Sequence, residues 1–328
     1  MIKFLQGNCM DKIQELEDNS IDCVVSSPPY FGLRDYGVEG QFGLEPTYQE
    51  YLANTVKLFA VMRPKLKDTA TIWWNVGDSY ASFRPMGTSD NGQYGGIVSK
   101  SYSGHLKLND IGRSGKTSKV PGNHYRGRGK ISGCLKPKDL LMIPNRVAIA
   151  LQEAGWYIRS EIVWHKPNPM PESVKDRPTS SHEKIWLITK NKKYYYDAES
   201  IKESTVTKPV VRDKMGEAYQ ADYTKGKRFS EGERVWGSEK KNKRNVWTVT
   251  TKPFKGAHFA TFPKDLIEPC ILAGCPEGGV VLDPFGGAGT TGIVAKVNHR
   301  QAILIELNPE YIEMAENRLE QELGGLQL

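Results

Sequence analysis

Short apolar runs alternate with longer amphipathic segments along most of this chain. The runs Ile21–Ser26 (IDCVVS), 71–76 (TIWWNV), 156–164, 184–189 (KIWLIT), 279–282 and 301–305 (QAILI) predict strands. Residues 48–66 set Leu52, Val56, Phe59 and Ala60 on one helical face, and 140–154, 264–273, Thr290–Val297 and 309–321 have the same spacing. Asn308 before Pro309 predicts an N-cap. Strands alternating with helices imply an α/β fold built on a doubly wound, mainly parallel sheet.

Two stretches break the alternation. Residues 80–140 hold eleven glycines and few large apolar side chains, too little to bury much surface, which predicts an inserted segment. Residues 198–257 are polar and basic, with Tyr219, Tyr223, Phe229, Trp236 and Trp247 interspersed. That mixture suits a small module that grips a polyanion and stacks on its bases. It equally suits a small subdomain with an aromatic core.

Composition adds limits rather than an assignment. The 328 residues are 38% hydrophobic and 25% charged, as in ordinary globular proteins. No run of eighteen apolar residues is present, and the start MIKFLQGNCM lacks a signal-peptide layout, so the expected setting is cytoplasmic and away from membranes. Five scattered cysteines without a CxxC pair predict reduced, buried thiols and no metal site. The net charge of +7 is unevenly spread: residues 80–140 carry eleven Lys and Arg against three acids, and 198–257 carry fourteen against eight. Both segments therefore read as anion-binding surfaces, the alternative being solvated loops. Arg126 and Arg128 in the first, and Lys240, Lys241, Lys243 and Arg244 in the second, are the candidate contacts to a polyanion.

Two motifs carry chemistry. In the first, a strand ends at Asp283, the turn Pro284, Phe285, Gly286, Gly287, Ala288, Gly289 follows, and a helix starts near Thr290. Such a turn lets a ligand approach the backbone at a helix N-terminus. Glu306 ends the next strand, where an acid can accept both hydroxyls of a ribose. Gly287 to Gly292 also spells GxGxxG, so an NAD-dependent oxidoreductase stays open on this motif alone. In the second motif a strand runs into Ser27, Pro28, Pro29 and Tyr30. The prolines fix carbonyl directions without competing amides, and Tyr30 offers a flat face. An exocyclic amine is a poor nucleophile because its lone pair is delocalised into the ring. Acceptors for both N–H groups favour the tetrahedral nitrogen that attacks a methyl sulfonium, and stacking holds a flipped base in that pose.

With both motifs in one chain, the sequence resembles the amino-methyltransferases of the β arrangement, which place the catalytic tetrapeptide ahead of the cofactor motif. The resemblance rests on Ser27 to Tyr30, on Phe285 to Gly289 as FxGxG, on Glu306 with Asn308 and Pro309, and on the segment His258 to Leu266. It extends to Trp164, His165, Lys166, Pro167 and Asn168, with Arg177, His182 and Glu183, around the target-base pocket. It implies a circularly permuted, seven-stranded, S-adenosylmethionine-dependent methyltransferase sheet with a small target-recognition region. Residues 1–79 and 137–197 would form the catalytic half, 80–136 a basic glycine-rich insertion, 198–257 the recognition region and 258–328 the cofactor half. It also implies that Ser27, Pro28, Pro29 and Tyr30 are catalytic. Asn8, Phe262, Asp283, Pro284, Phe285, Gly286, Gly287, Gly289, Thr290, Glu306 and Asn308 would bind S-adenosylmethionine. Asn8 departs from the family, which often has aspartate there; its amide oxygen still accepts.

The implied partner is double-stranded DNA, with a cognate restriction endonuclease as a further candidate. Serine in the first catalytic position is the family's common choice for cytosine N4, aspartate or asparagine for adenine N6. Ser27 therefore favours cytosine N4, with adenine N6 as the alternative. The Pro269–Cys270 pair lies inside an apparent helix, so Cys270 reads as core rather than as a C5-cytosine nucleophile.

Overall fold

The computed structural model describes residues 1–81, 134–205, 210–212, 218–220, 234–236, 239–251 and 262–324. Residues 82–133, most of the glycine-rich insertion and including Arg126 and Arg128, lie outside the described residues, as do residues 258–261 of the segment ahead of the cofactor motif.

One sheet of eight strands organises the larger part of the chain. Its order is β1 (Ile2–Gln6), β13 (Gln301–Glu306), β12 (Val280–Asp283), β2 (Ile21–Ser26), β3 (Leu66–Val76), β5 (His182–Thr189), β4 (Tyr157–His165) and β11 (Val246–Thr248). Pairing is parallel from β1 to β3; β5 runs antiparallel to both its neighbours, and β11 is parallel to β4. β2 is buried along its whole length, as a strand covered on both faces must be. Its side chains alternate. Val24, with Ile72, Trp74 and Val76 of β3, joins the core under α1 (Cys9–Gln14), α2 (Tyr48–Met62) and α3 (Ile143–Glu153). Cys23 and Trp73 face the other way, toward Gly274 of α4 (Lys264–Gly274). α4 packs beside α5 (Thr290–Val297), and α5 beside α6 (Pro309–Leu323).

The eighth strand, β11, is one more than the expected seven. It falls in the stretch assigned to target recognition, and it corrects the role of Trp247. That side chain is buried in the large sheet, with its ring 6.3 Å from that of Trp73. A second compact unit spans Tyr196–Arg244. In it β6 (Glu203–Ser204) pairs antiparallel with β10 (Lys240–Lys241), and β7 (Val210–Arg212) lies between β8 (Ala218–Gln220) and β9 (Arg234–Trp236). No described helix is long and apolar enough to cross a membrane.

Element boundaries differ from expectation where local chemistry overrides periodicity. α2 stops at Met62 rather than residue 66 because Pro64 cannot continue a helix, and Leu66 already opens β3. β1 and α1 carry no strong pattern of their own and were not expected.

Candidate active site

The crossovers from β12 through α5 to β13, and from β2 through α2 to β3, leave in opposite directions across the sheet. β12 and β2 are neighbours, so their carboxyl ends mark a topological switch point, where open α/β sheets hold ligands. A cleft of about 890 Å³ opens there. Ser27, Pro28, Pro29 and Tyr30 line one side; Pro284, Phe285, Gly287, Glu306 and Asn308 line the other, with Asn8 and Phe262 also in the wall. Two motifs at opposite ends of the chain thus share one cavity.

Four expected cofactor residues do not line it. Asp283 is buried under the turn, its carboxylate accepting from Ser26 Oγ (2.6 Å), Thr291 Oγ1 (2.5 Å) and the Phe285 amide (3.1 Å). Burial raises its pKa to about 6, against those hydrogen bonds. Thr290 Oγ1 accepts from Arg318 at 2.8 Å. Gly286 and Gly289 serve close packing: a Cβ at Gly286 would stand 2.9 Å from Leu304 Cβ, and one at Gly289 3.1 Å from Ala315 Cβ. Gly289 also takes φ +73° as the residue before α5.

Glu306 faces the cleft while tying its wall together. One carboxylate oxygen accepts from the Gly287 amide and the other from the Asn308 amide, both at 2.9 Å. Burial pushes its pKa up, and the amides pull it back. A carboxylate has about four acceptor positions, so Glu306 keeps acceptor capacity for a ligand hydroxyl. Asn8 caps α1 by accepting from the Met10 amide at 2.9 Å. An acid with spare acceptor capacity beside the aromatic ring of Phe285 matches the donors and flat face of a nucleoside.

The tetrapeptide is held from several directions. Tyr51 donates to the Pro29 carbonyl at 3.2 Å. Tyr30 Oη contacts Ser27 Oγ at 3.1 Å, Asn75 Oδ1 at 3.2 Å and Glu183 Oε2 at 2.7 Å. Glu183 is ion-paired with Lys166, whose ammonium also lies 4.3 Å from the centre of the Trp164 ring. Lys166 and Glu183 line the cleft as expected from the resemblance; Asn75 was hidden inside the apolar run of β3. A polar residue at the carboxyl end of a buried strand is the signal that would have found it. Of the DNA-contact candidates in the smaller unit, Lys241 and Arg244 both pair with Glu203, at 3.7 and 2.5 Å.

A family model for DNA methylases, covering enzymes of the N6 and N4 amino groups, matches residues 21–317. The chain belongs to that family. It is 43% identical over 317 residues to the Type II methyltransferase M.Cfr9I of Citrobacter freundii, covering 97% of this chain and 87% of the relative. It is 42% identical to M.SmaI of Serratia marcescens, covering 97% of this chain and 90% of that one. Among solved structures, the cytosine-N4-specific PvuII DNA methyltransferase aligns with a TM-score of 0.59 at 17% identity, over 97% of this chain and 86% of that chain. A DNA modification methylase of Thermus thermophilus in complex with S-adenosyl-L-methionine aligns with a TM-score of 0.56 at 18% identity, over 99% and 98% of the two chains. These two likenesses concern the fold. The protein is a DNA methyltransferase of the N4/N6 class, and the oxidoreductase reading falls with that assignment.

Proposed function

We propose that this methyltransferase acts on the N4 amino group of cytosine in double-stranded DNA, on a base turned out of the duplex into the cleft. The observation that carries the reading is Ser27: a hydroxyl, rather than a carboxylate or amide, opens the tetrapeptide that shares a cavity with Glu306. The methyl donor is S-adenosylmethionine, whose sulfonium supplies an electrophilic methyl carbon. Glu306 would hold its ribose hydroxyls, Phe285 its adenine face, and Phe262 its methionine end. Asp283 supports these contacts from below by fixing the turn through Ser26, Thr291 and the Phe285 amide.

The remaining work belongs to the chain's own groups. Ser27 Oγ and a proline carbonyl accept from the two amine hydrogens, drawing the nitrogen toward a tetrahedral, nucleophilic form. The Tyr30 ring holds the base in place and in line with the methyl donor. Lys240, Lys241, Lys243 and Arg244 would contact the phosphate backbone, and a cognate endonuclease would cut the same unmodified sequence. Incubation with S-adenosylmethionine labelled in the methyl group and unmodified bacterial DNA tests the reading. Label retained in the DNA is the expected result; DNA left unlabelled by folded, cofactor-binding protein contradicts it.

A further inference from the structure

A chain of hydroxyl groups leads out of the tetrapeptide and ends on a buried carboxylate that the methyl-transfer scheme does not use. Ser27 Oγ lies 3.1 Å from Tyr30 Oη, which lies 2.7 Å from Glu183 Oε2. Glu183 is 6% exposed and its partner Lys166 8%, so the ion pair sits inside the protein. Asn75 Nδ2 donates to Glu183 Oε2 at 3.3 Å and to the Lys184 carbonyl at 3.1 Å, which turns Asn75 Oδ1 toward Tyr30.

The direction of each proton follows from these partners. A carboxylate paired with an ammonium can only accept. Tyr30 therefore donates its single proton to Glu183, the shorter and charge-assisted contact, in preference to Asn75 at 3.2 Å. With that proton committed, Tyr30 Oη accepts from Ser27. The Ser27 proton points at Tyr30, and its lone pairs are what it offers to a ligand in the cleft.

We propose that Glu183 is the terminal acceptor for the proton the target amine must lose, with Ser27 and Tyr30 as the relay. The proposal rests on the cleft being an amino-methyltransferase site. As the amine lone pair bonds the methyl carbon, the carbon–sulfur pair leaves with sulfur, and the nitrogen becomes positively charged. One N–H proton passes to Ser27 Oγ while Ser27 gives its own to Tyr30 Oη and Tyr30 gives its own to Glu183 Oε2. The N–H bonding pair returns to nitrogen, and Glu183 ends as a neutral acid beside Lys166. Before transfer the same chain polarises Ser27 and makes it a stronger acceptor for the amine.

Removing Glu183 alone would leave Lys166 buried without a counter-charge, which costs stability by itself. Two variants avoid that: Tyr30→Phe, which keeps the ring and deletes the hydroxyl, and the double variant Glu183→Gln with Lys166→Met. Single-turnover methyl transfer to DNA is measured for each in H2O and D2O, with S-adenosylmethionine affinity by calorimetry and the product base by mass spectrometry. The wild type is expected to slow about two-fold in D2O, and both variants to lose about 100-fold in rate together with the isotope sensitivity, as loss of acid–base assistance does. Their cofactor affinity should stay close to wild type. A wild-type rate indifferent to D2O, or a Tyr30→Phe enzyme with full rate, overturns the relay. The product base reports separately: N6-methyladenine would overturn the cytosine reading and leave the relay standing, since either amine sheds a proton.

Discussion

Asp283 and Glu306 end neighbouring strands, and both look like cofactor acids in the sequence. Their hydrogen bonds separate them. Asp283 turns inward to Ser26, 257 positions away, and to Thr291, whereas Glu306 lines the cleft with acceptor capacity to spare. No local pattern reveals that difference, because the deciding partner of Asp283 lies at the other end of the chain. Burial raises the Asp283 pKa from 3.8 to about 6. The folded state thus holds this proton more tightly than the unfolded one, so the group's contribution to stability is full below pH 4 and is lost as pH rises through 6. Relative to Asp283→Asn, the wild type should gain stability in urea unfolding as pH falls from 7 to 4, by at most about 3 kcal/mol. A difference that stays flat or shrinks over that range would contradict the inward placement. Glu306→Ala should weaken calorimetric S-adenosylmethionine affinity by roughly 10- to 100-fold, the scale of a lost charge-assisted contact. Unchanged affinity would remove Glu306 from the ribose site.

Whole elements were more legible than their ends. The strands around Ile21–Ser26, Val280–Asp283 and Gln301–Glu306 stood out because a central parallel strand is apolar on both faces. The start of α3 was less clear: its N-cap, Met142, makes no side-chain cap, and Asp78 beyond the end of β3 accepts from the Ile143 amide instead. A cap supplied from another element leaves no signature in the helix's own sequence. Packing at the same end of β3 also sets the site. A Cβ on Gly77 would stand 2.5 Å from the Tyr30 ring. Gly77→Ala should therefore push Tyr30 from its partners and cut turnover by about 10-fold or more, while leaving the fold intact, since a misplaced group far smaller than a lost one is enough to slow an aligned reaction. Circular dichroism and single-turnover rates check this; normal turnover in the folded variant would mean that the tyrosine position is not critical.

At the scale of the molecule, the doubly wound sheet followed from strand–helix alternation, and the permutation was implied by the family resemblance. The limits of the second unit did not follow. Basic, aromatic composition runs on past Arg244, but Trp247 is drawn into the large sheet by Trp73, a contact that only the fold creates. Charge placement gives a further expectation. Neutralising Lys240, Lys241, Lys243 and Arg244 together should weaken DNA binding on every sequence and reduce the salt slope of log K by about 2 to 4. The lower figure applies if Lys241 and Arg244 stay with Glu203 in the complex. An unchanged slope would place the phosphate contacts elsewhere.

The central claim is that Ser27 and its neighbours methylate cytosine at N4. Its most direct test is to digest DNA modified by the purified protein to nucleosides and identify the methylated species by mass spectrometry. N4-methylcytosine is the expected product, absent when Tyr30→Ala protein is used. N6-methyladenine as the methylated nucleoside, or no methylated nucleoside at all, would contradict it.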